Sequence, residues 1–292
     1  MPSSRSRRFM QIDVFSAQAY QGNPLAVVLD SEEISDAAMQ RFASWTNLSE
    51  TTFLLPPSPS GQAAGADYRV RIFTPGGELP FAGHPTLGSC HAWLTGGGKP
   101  RTEGLVIQEC AQGLVPLRRD PVSGLWAFAA PAMACGDIDP GQYEALLRAA
   151  GLSAGQVKDS AILANGPTFR ALLLDTPASV LNLTPDLPAL HALDIQLGVA
   201  ARHAPPGGTS ADLEVRVWFN TGSTLTEDPI TGSFNASLAQ WLIGRGHMAA
   251  PYLASQGINL GRAGHVHLSQ DDSGQVWVGG HSNTCISGEV IL

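Results

Sequence analysis

Short runs in which apolar and polar side chains alternate dominate this chain. "MQIDVFS" (residues 10–16), "LAVVLD" (25–30), "ETTFLLP" (50–56), "YRVRIF" (68–73) and "GLVIQE" (104–109) have the period of two that predicts β-strands. Between the second and third the period changes. In "SDAAMQRFASWTN", Met39, Phe42, Ala43 and Thr46 recur at helical spacing, with Ser35 or Asp36 placed to cap the helix start. A second helix is predicted over "DPGQYEALLRAAGL" (139–152), opened by Asp139-Pro140 and closed at Gly151.

The second half runs through the same plan. "TFRALLLD" (168–175) and "LEVRVWF" (213–219) read as strands and "LTPDLPALHAL" (183–193) as a helix. "HVHLSQ" and "QVWVGG", joined by "DDSG" (271–274), read as a hairpin before a last strand at "GEVIL". Two stretches match more closely. "YRVRIFTPGGELPFAGHPTLGSCHAWL" gives a strand, a glycine-rich turn and a helix ending at Trp93-Leu94. "LEVRVWFNTGSTLTEDPITGSFNASLAQWL" gives the same succession, ending at Trp241-Leu242. Such a repeat, about half the chain length apart, predicts two pseudo-symmetric domains, 1–135 and 136–292, with room for C-terminal strands to cross back to the first. A length of 292 residues exceeds the usual size of a single core and allows one large or two medium domains.

Composition narrows the function. A net charge of −8 argues against nucleic acid or an anionic membrane as the main partner. Cys90, Cys110, Cys135 and Cys285 are scattered, which reads as reduced thiols and not as a disulfide frame or a zinc site. The opening "MPSSRSRRFMQIDVF" lacks the apolar stretch of a secretory signal, and no apolar run is long enough to cross a bilayer. The expectation is a cytoplasmic protein.

The chemistry concentrates in the two turns. "AGHPT" (82–86) and "ITGSF" (230–234) are small-residue turns that open helices, where unpaired N–H groups and the helix dipole favour an anion. Either alone would serve as a tight turn. Two at matching places in a repeat suggest a shared cleft for a small carboxylate. His84 can move a proton near neutrality or donate a hydrogen bond. His91, beside Cys90, is read as a core or helix-surface residue. Asp228, in "EDPITGS", either caps a helix or binds an amine or hydroxyl of a ligand, and its neighbour Glu227 is expected to face solvent. Glu50, in "NLSETTFLL", is a solvated strand-end charge unless a partly desolvated cleft makes it an acid or base. "QGNP" (21–24) is another turn, which either puts Asn23 at the same cleft or is only a turn. No GxGxxG follows a strand, and GxxxxGK[ST], GxSxG and HExxH do not occur.

Taken together, "DVFSAQAYQGNPLAVVL", "NLSETTFLL", "RIFTPGGELPFAGHPTLGSCHAWL", "EDPITGSFNASLAQWL" and "SQGINLGRAGHVHL" resemble the PhzF-like (phenazine biosynthesis protein) family, nearly end to end. The resemblance implies a diaminopimelate epimerase-like α/β fold of the α+β type. It has two similar domains, each a mixed β-sheet around a central helix, with the active site in the cleft between them. It also implies a cofactor-free, metal-free isomerase, typically a homodimer, of the type that acts on trans-2,3-dihydro-3-hydroxyanthranilate. Carried over by motif, the catalytic residues are Glu50 in "SET", His84 in "AGHPT" and Asp228 in "EDP". Ser233 in "TGS" completes the site with the N–H groups of Gly83 and Gly232, joined by Ser49 and Asn23. Related epimerases use two opposed cysteines; here "FAGHP" and "DPITGS" carry none, which argues against two-thiol racemisation. An epimerase with unlike bases, or a small-molecule binding protein on the same scaffold, are the alternative expectations. Glu78 is expected to support its turn.

Overall fold

The computed structural model describes residues 5–204, 211–220 and 224–292. Residues 221–223 of the second glycine-rich turn lie outside the described residues. The chain divides into two compact units, residues 1–129 with 279–292, and residues 130–278.

The first unit opens with the antiparallel pair β1 (Ser6–Val14) and β2 (Asn23–Val28), in which Val14 faces Asn23. Helix α1 (Asp36–Thr46) leads to β3 (Thr51–Leu55), which runs parallel to β2. Ser35 caps α1, accepting from Ala38 N, and Asn47 closes it in the left-handed region, so the start falls on the first of the two expected caps. A short helix α2 (Pro59–Ala63) precedes β4 (Tyr68–Thr74), antiparallel to β3, and β5 (Gly77–Leu79), a hairpin partner of β4. Then comes α3 (Gly83–Thr95), followed by β6 (Leu105–Cys110), parallel to β4, and the antiparallel strands β7 (Gly113–Arg119) and β8 (Trp126–Ala129).

The second unit repeats this order. It starts with β9 (Ala134–Gly136), which pairs with β10 and so groups with this unit although the expected division at 135–136 falls inside it. Helix α4 (Pro140–Ala150) has Asp139 as its cap and Gly151 at its left-handed end. Strands β10 (Val157–Ala164) and β11 (Thr168–Leu174) are an antiparallel pair, like β1 and β2. Two short helices, α5 (Pro177–Leu181) and α6 (Leu187–Ala192), lead to β12 (Gln196–Arg202), parallel to β11. The helix expected over 183–193 is thus shorter, because Asp186 caps it and Pro185 holds the preceding residue extended, and α5 is an addition. Then follow β13 (Leu213–Asn220), its hairpin partner β14 (Leu225–Glu227), α7 (Gly232–Gly244), β15 (Tyr252–Gln256) parallel to β13, and β16 (Gly264–Gln270). Strand β17 (Val276–Gly280) leads to β18 (Ser282–Ile291), which returns to pair antiparallel with β1.

In each unit the sheet curls about one helix. α3 touches β18 and β1 at one end of the first strand order and β8 at the other, and α7 touches both β10 and β16. These helices are buried over most of their length, including polar Thr86, Ser89, Ser233, Asn235 and Ser237. Small residues let the strands close on them. A Cβ on Gly198 of β12 would lie 2.1 Å from Cζ of the fully buried Phe234. A second apolar layer covers the outer face of each sheet. In the first unit α1 sets Met39 and Ala43 against Val28, Phe53 and Phe73; in the second, α4, α5 and α6 set Leu146, Val180 and Leu190 against Leu172, Leu197 and Trp218. The central helices therefore have no solvent face, and no helix is long and apolar enough to span a membrane among the described residues.

Candidate functional site

In the first unit the glycine-rich turn delivers Gly83 and His84 as the first two residues of α3, and Ala82 at the cap offers no side chain to the first-turn N–H groups. The helix start is pegged by a buried polar chain: Tyr68 Oη donates to Gln108 Oε1 (2.8 Å), Gln108 Nε2 to Thr86 Oγ1 (3.1 Å) and Thr86 Oγ1 to Ala82 O (2.9 Å). One turn on, Ser89 Oγ donates to Thr52 Oγ1 of β3 at 2.9 Å. Glu50 immediately precedes β3, so the same peg sets its position.

His84 is almost wholly buried, and its Nε2 lies 3.5 Å from Glu50 Oε2, whose side chain is 16% exposed. Its ring bonds the backbone of Pro24. Proline has no N–H, so the ring donates to the carbonyl, and Nε2 has no hydrogen-bond partner among the described residues. Nδ1 therefore carries the proton and Nε2 presents a lone pair toward Glu50. Burial pushes His84 down to about 3, against the opposing effect of the Pro24 bond, so the ring is neutral. Pro24 follows Asn23, which is fully buried at the start of β2; the "GNP" turn thus supports the imidazole. Ser49, next to Glu50, is exposed.

Other polar residues of this region are structural. Glu78 makes a two-point pair with Arg71 (both contacts 2.7 Å), which also reaches Asp36 at 2.6 Å, so it braces the β4–β5 hairpin as expected. Cys90 is fully buried with its thiol pushed up by burial, and His91 Nε2 meets Thr284 Oγ1 at 2.9 Å. Among the described residues no group of three or more His, Cys, Asp and Glu side chains could hold a metal ion.

In the second unit Gly232 and Ser233 are the first two residues of α7, the places that Gly83 and His84 hold in α3. Thr231 occupies the cap position and its carbonyl accepts from Asn235 N at 3.0 Å, but its hydroxyl does not cap the helix and donates instead to Asp228 Oδ2 at 2.6 Å. Gln256, at the end of β15, accepts from Thr231 N at 3.0 Å and donates to Asp228 O at 3.1 Å. Its role depends on a contact across the parallel pairing of β13 and β15, and the residue has no local signature. Asn165, in the loop between β10 and β11, is also buried and donates through Nδ2 to Ser233 O at 2.8 Å. Glu227 corrects an expectation. It does not face solvent: its carboxylate takes Nε and Nη2 of Arg216, both at 2.8 Å, and its side chain is 13% exposed.

So the structure brings Glu50 together with His84, next to the Asn23–Pro24 turn, and Asp228 together with Thr231, beside Gly232 and Ser233. These are two polar clusters at the starts of equivalent helices, one in each unit, the first bearing a neutral imidazole and a carboxyl group, the second a carboxyl group that accepts from a hydroxyl.

Comparison with known proteins gives the class first. A relative from Schizosaccharomyces pombe, named "Antisense-enhancing sequence 1", is 35% identical over 97% of this chain and 98% of its own. The trans-2,3-dihydro-3-hydroxyanthranilate isomerase of Pseudomonas aeruginosa is 32% identical over 92% of each chain. A solved structure described as a predicted epimerase from the same organism superposes with a TM-score of 0.77, at 30% identity, over 97% of this chain and 99% of that one. This chain is an enzyme of the isomerase class. Its family follows from the family model for phenazine biosynthesis-like protein (PhzC-PhzF), which matches residues 12–288: the chain belongs to that family.

Proposed function

We propose that this protein is a cofactor-independent isomerase that moves a proton within a small carboxylate-bearing substrate, a cyclic or conjugated amino acid of the trans-2,3-dihydro-3-hydroxyanthranilate type. The observation that carries this reading is the Glu50–His84 pair, 3.5 Å apart, with the neutral imidazole's lone pair turned to the carboxyl group. While Glu50 is ionised, two acceptors face each other. Once Glu50 has taken a proton from an activated carbon, its O–H has an acceptor in His84 Nε2. The pair can therefore hold a proton in transit while the double bonds shift, and Glu50 then returns it to another carbon of the same molecule. At the start of α7 the Gly232 N–H and Ser233 are assigned to the substrate carboxylate and Asp228 to its amine or hydroxyl; at the start of α3 the Gly83 N–H is a further anion donor, and Asn23 serves through the turn that fixes His84. General acid–base catalysis of this kind contributes about 10²–10⁴-fold, the remainder coming from positioning and electrostatics.

The test is incubation with trans-2,3-dihydro-3-hydroxyanthranilate in D2O, followed by NMR, with Glu50→Gln alongside. The wild type is expected to consume the diene and place deuterium on its ring, and Glu50→Gln to be slower by about 10²-fold or more with its circular dichroism unchanged. A Glu50→Gln variant as fast as the wild type would sink the mechanism. The resemblance to a protein named an epimerase supports a second reading, inversion at one carbon, and the same spectra separate the two: deuterium would then enter a stereocentre without migration of a double bond.

A further inference from the structure

The hydrogen bonds around Asp228 have a direction that can be worked out group by group. Gln256 is fully buried and its carboxamide meets two backbone groups of fixed polarity: Thr231 N–H, 3.0 Å from Oε1, and the Asp228 carbonyl, 3.1 Å from Nε2. Only one orientation of the amide satisfies both. Asn235 Nδ2, donating to Oε1 at 2.9 Å and to Thr231 O at 3.0 Å, reinforces it. The second Nε2 hydrogen then points to Thr231 Oγ1 at 3.0 Å. A hydroxyl that accepts from an amide has one proton left to give, and Thr231 gives it to Asp228 Oδ2 at 2.6 Å. Gly257, at φ 99°, lets the chain turn directly after Gln256, where a Cβ would lie 2.7 Å from the Pro229 carbonyl. Among the described residues, the charged side chains on neighbouring elements include Glu227, taken by Arg216, Glu214, beside Ser255, and Arg262, whose Cβ lies close to Gly257.

We propose that Thr231 and Gln256 are positioning residues that hold Asp228 as an ionised hydrogen-bond acceptor. Asp228 then grips an ammonium or hydroxyl of the substrate and does not supply the reaction's acid. A short hydrogen bond from a hydroxyl is stronger to a carboxylate than to its neutral acid, and the relay leaves the Thr231 proton no other place to point. On this proposal the Glu50–His84 pair handles the proton, and Asp228 anchors a donor. This rests on the isomerase reading for its kinetic consequence, but its structural core does not.

The experiment compares wild type, Thr231→Val, Thr231→Ser and Gln256→Glu, each labelled with 13C at the aspartate carboxyls, with Asp228→Asn identifying the Asp228 resonance. In Thr231→Val the Asp228 signal is expected to titrate about one pH unit above the wild type, a tenfold change in proton affinity. Gln256→Glu should follow it, because the Thr231 proton turns to the new carboxylate; Thr231→Ser restores the hydroxyl and should follow the wild type. Turnover of trans-2,3-dihydro-3-hydroxyanthranilate should show KM raised about tenfold in Thr231→Val with kcat little changed. An Asp228 signal that titrates identically in wild type and Thr231→Val overturns the proposal, as does a loss confined to kcat. A wild type inert toward the diene counts against the functional reading alone, and the carboxyl titration still decides this one.

Discussion

Glu227→Ala should be among the most damaging single changes outside the candidate site residues, and the structure gives the size of the effect. The substitution strips the carboxylate from Arg216, whose side chain is 6% exposed and whose Nε and Nη2 both donate to Glu227. The guanidinium stays charged and buried. Breaking such a pair from one side costs about 3–5 kcal/mol. Arg216 keeps its contacts from Nη1 to the carbonyls of Val180 (3.0 Å) and Leu183 (2.7 Å), and lies 4.6 Å over the Trp218 ring, which favours the lower end, ~3 kcal/mol. Glu78→Ala is the matched control. There Arg71 is 18% exposed and retains Asp36, so a loss of about 0–1 kcal/mol is expected. Urea unfolding followed by tryptophan fluorescence measures both. With a slope of about 2 kcal/mol/M, Glu227→Ala should lower the midpoint by about 1.5 M and Glu78→Ala by less than about 0.5 M. A double change, Arg216→Met with Glu227→Leu, should recover much of the loss because it removes the buried charge. Equal midpoints for the two single variants would refute the reasoning.

Two further changes test other parts of the framework. Gly198→Ala would set a methyl 2.1–2.7 Å from three ring atoms of Phe234, a ring with no room to retreat, and should cost about 1–3 kcal/mol; the cost should shrink in a Phe234→Leu background, and an equal cost in both backgrounds would remove the close contact as its cause. Burial pushes the Glu214 carboxyl up to about 7, with the Ser255 hydrogen bond and Arg216 opposing, so the folded state holds a proton that the unfolded chain releases near 4.5 and stability falls as pH rises between those values. Glu214→Gln should therefore melt above the wild type at pH 8 and approach it by pH 5; a difference in Tm that does not change with pH would contradict the assignment.

Much of the framework is legible in the sequence for identifiable reasons. The strands alternate because each has one face toward a central helix and one toward an outer layer or solvent, and α1 and α4 declare themselves through Ser35, Asp139 and Gly151, whose roles are local. The central helices are different. They are buried all round, with Ser, Thr and Asn among the apolar residues, so they carry no amphipathic period, and only the repeated Trp-Leu ending and the family resemblance mark them. Glu50 and His84 come together through the β2–β3 pairing and the "GNP" turn, which no local pattern reveals. The pairing of Glu227 is hidden for the same reason: its partner is set by the register that places Trp218 opposite Glu227 and so brings Arg216 alongside. The stretch 183–193 yields a shorter helix than its sequence suggests, because Asp186 caps α6 directly after Pro185.

The return of β18 to β1 has a consequence for how the molecule is made. Arg5 and Leu292 exchange backbone hydrogen bonds, N to O at 2.7 Å and the reverse at 3.0 Å, and β18 pairs with β1 along nearly its whole length. The second unit is contiguous in sequence, whereas the first needs residues 279–292, which leave the ribosome after the second unit is complete. During synthesis α3 must wait beneath an open sheet until that strand arrives. The later-made unit can then be the first to finish folding, and deletion of the last strand should leave it intact while the earlier-made unit stays vulnerable to proteolysis.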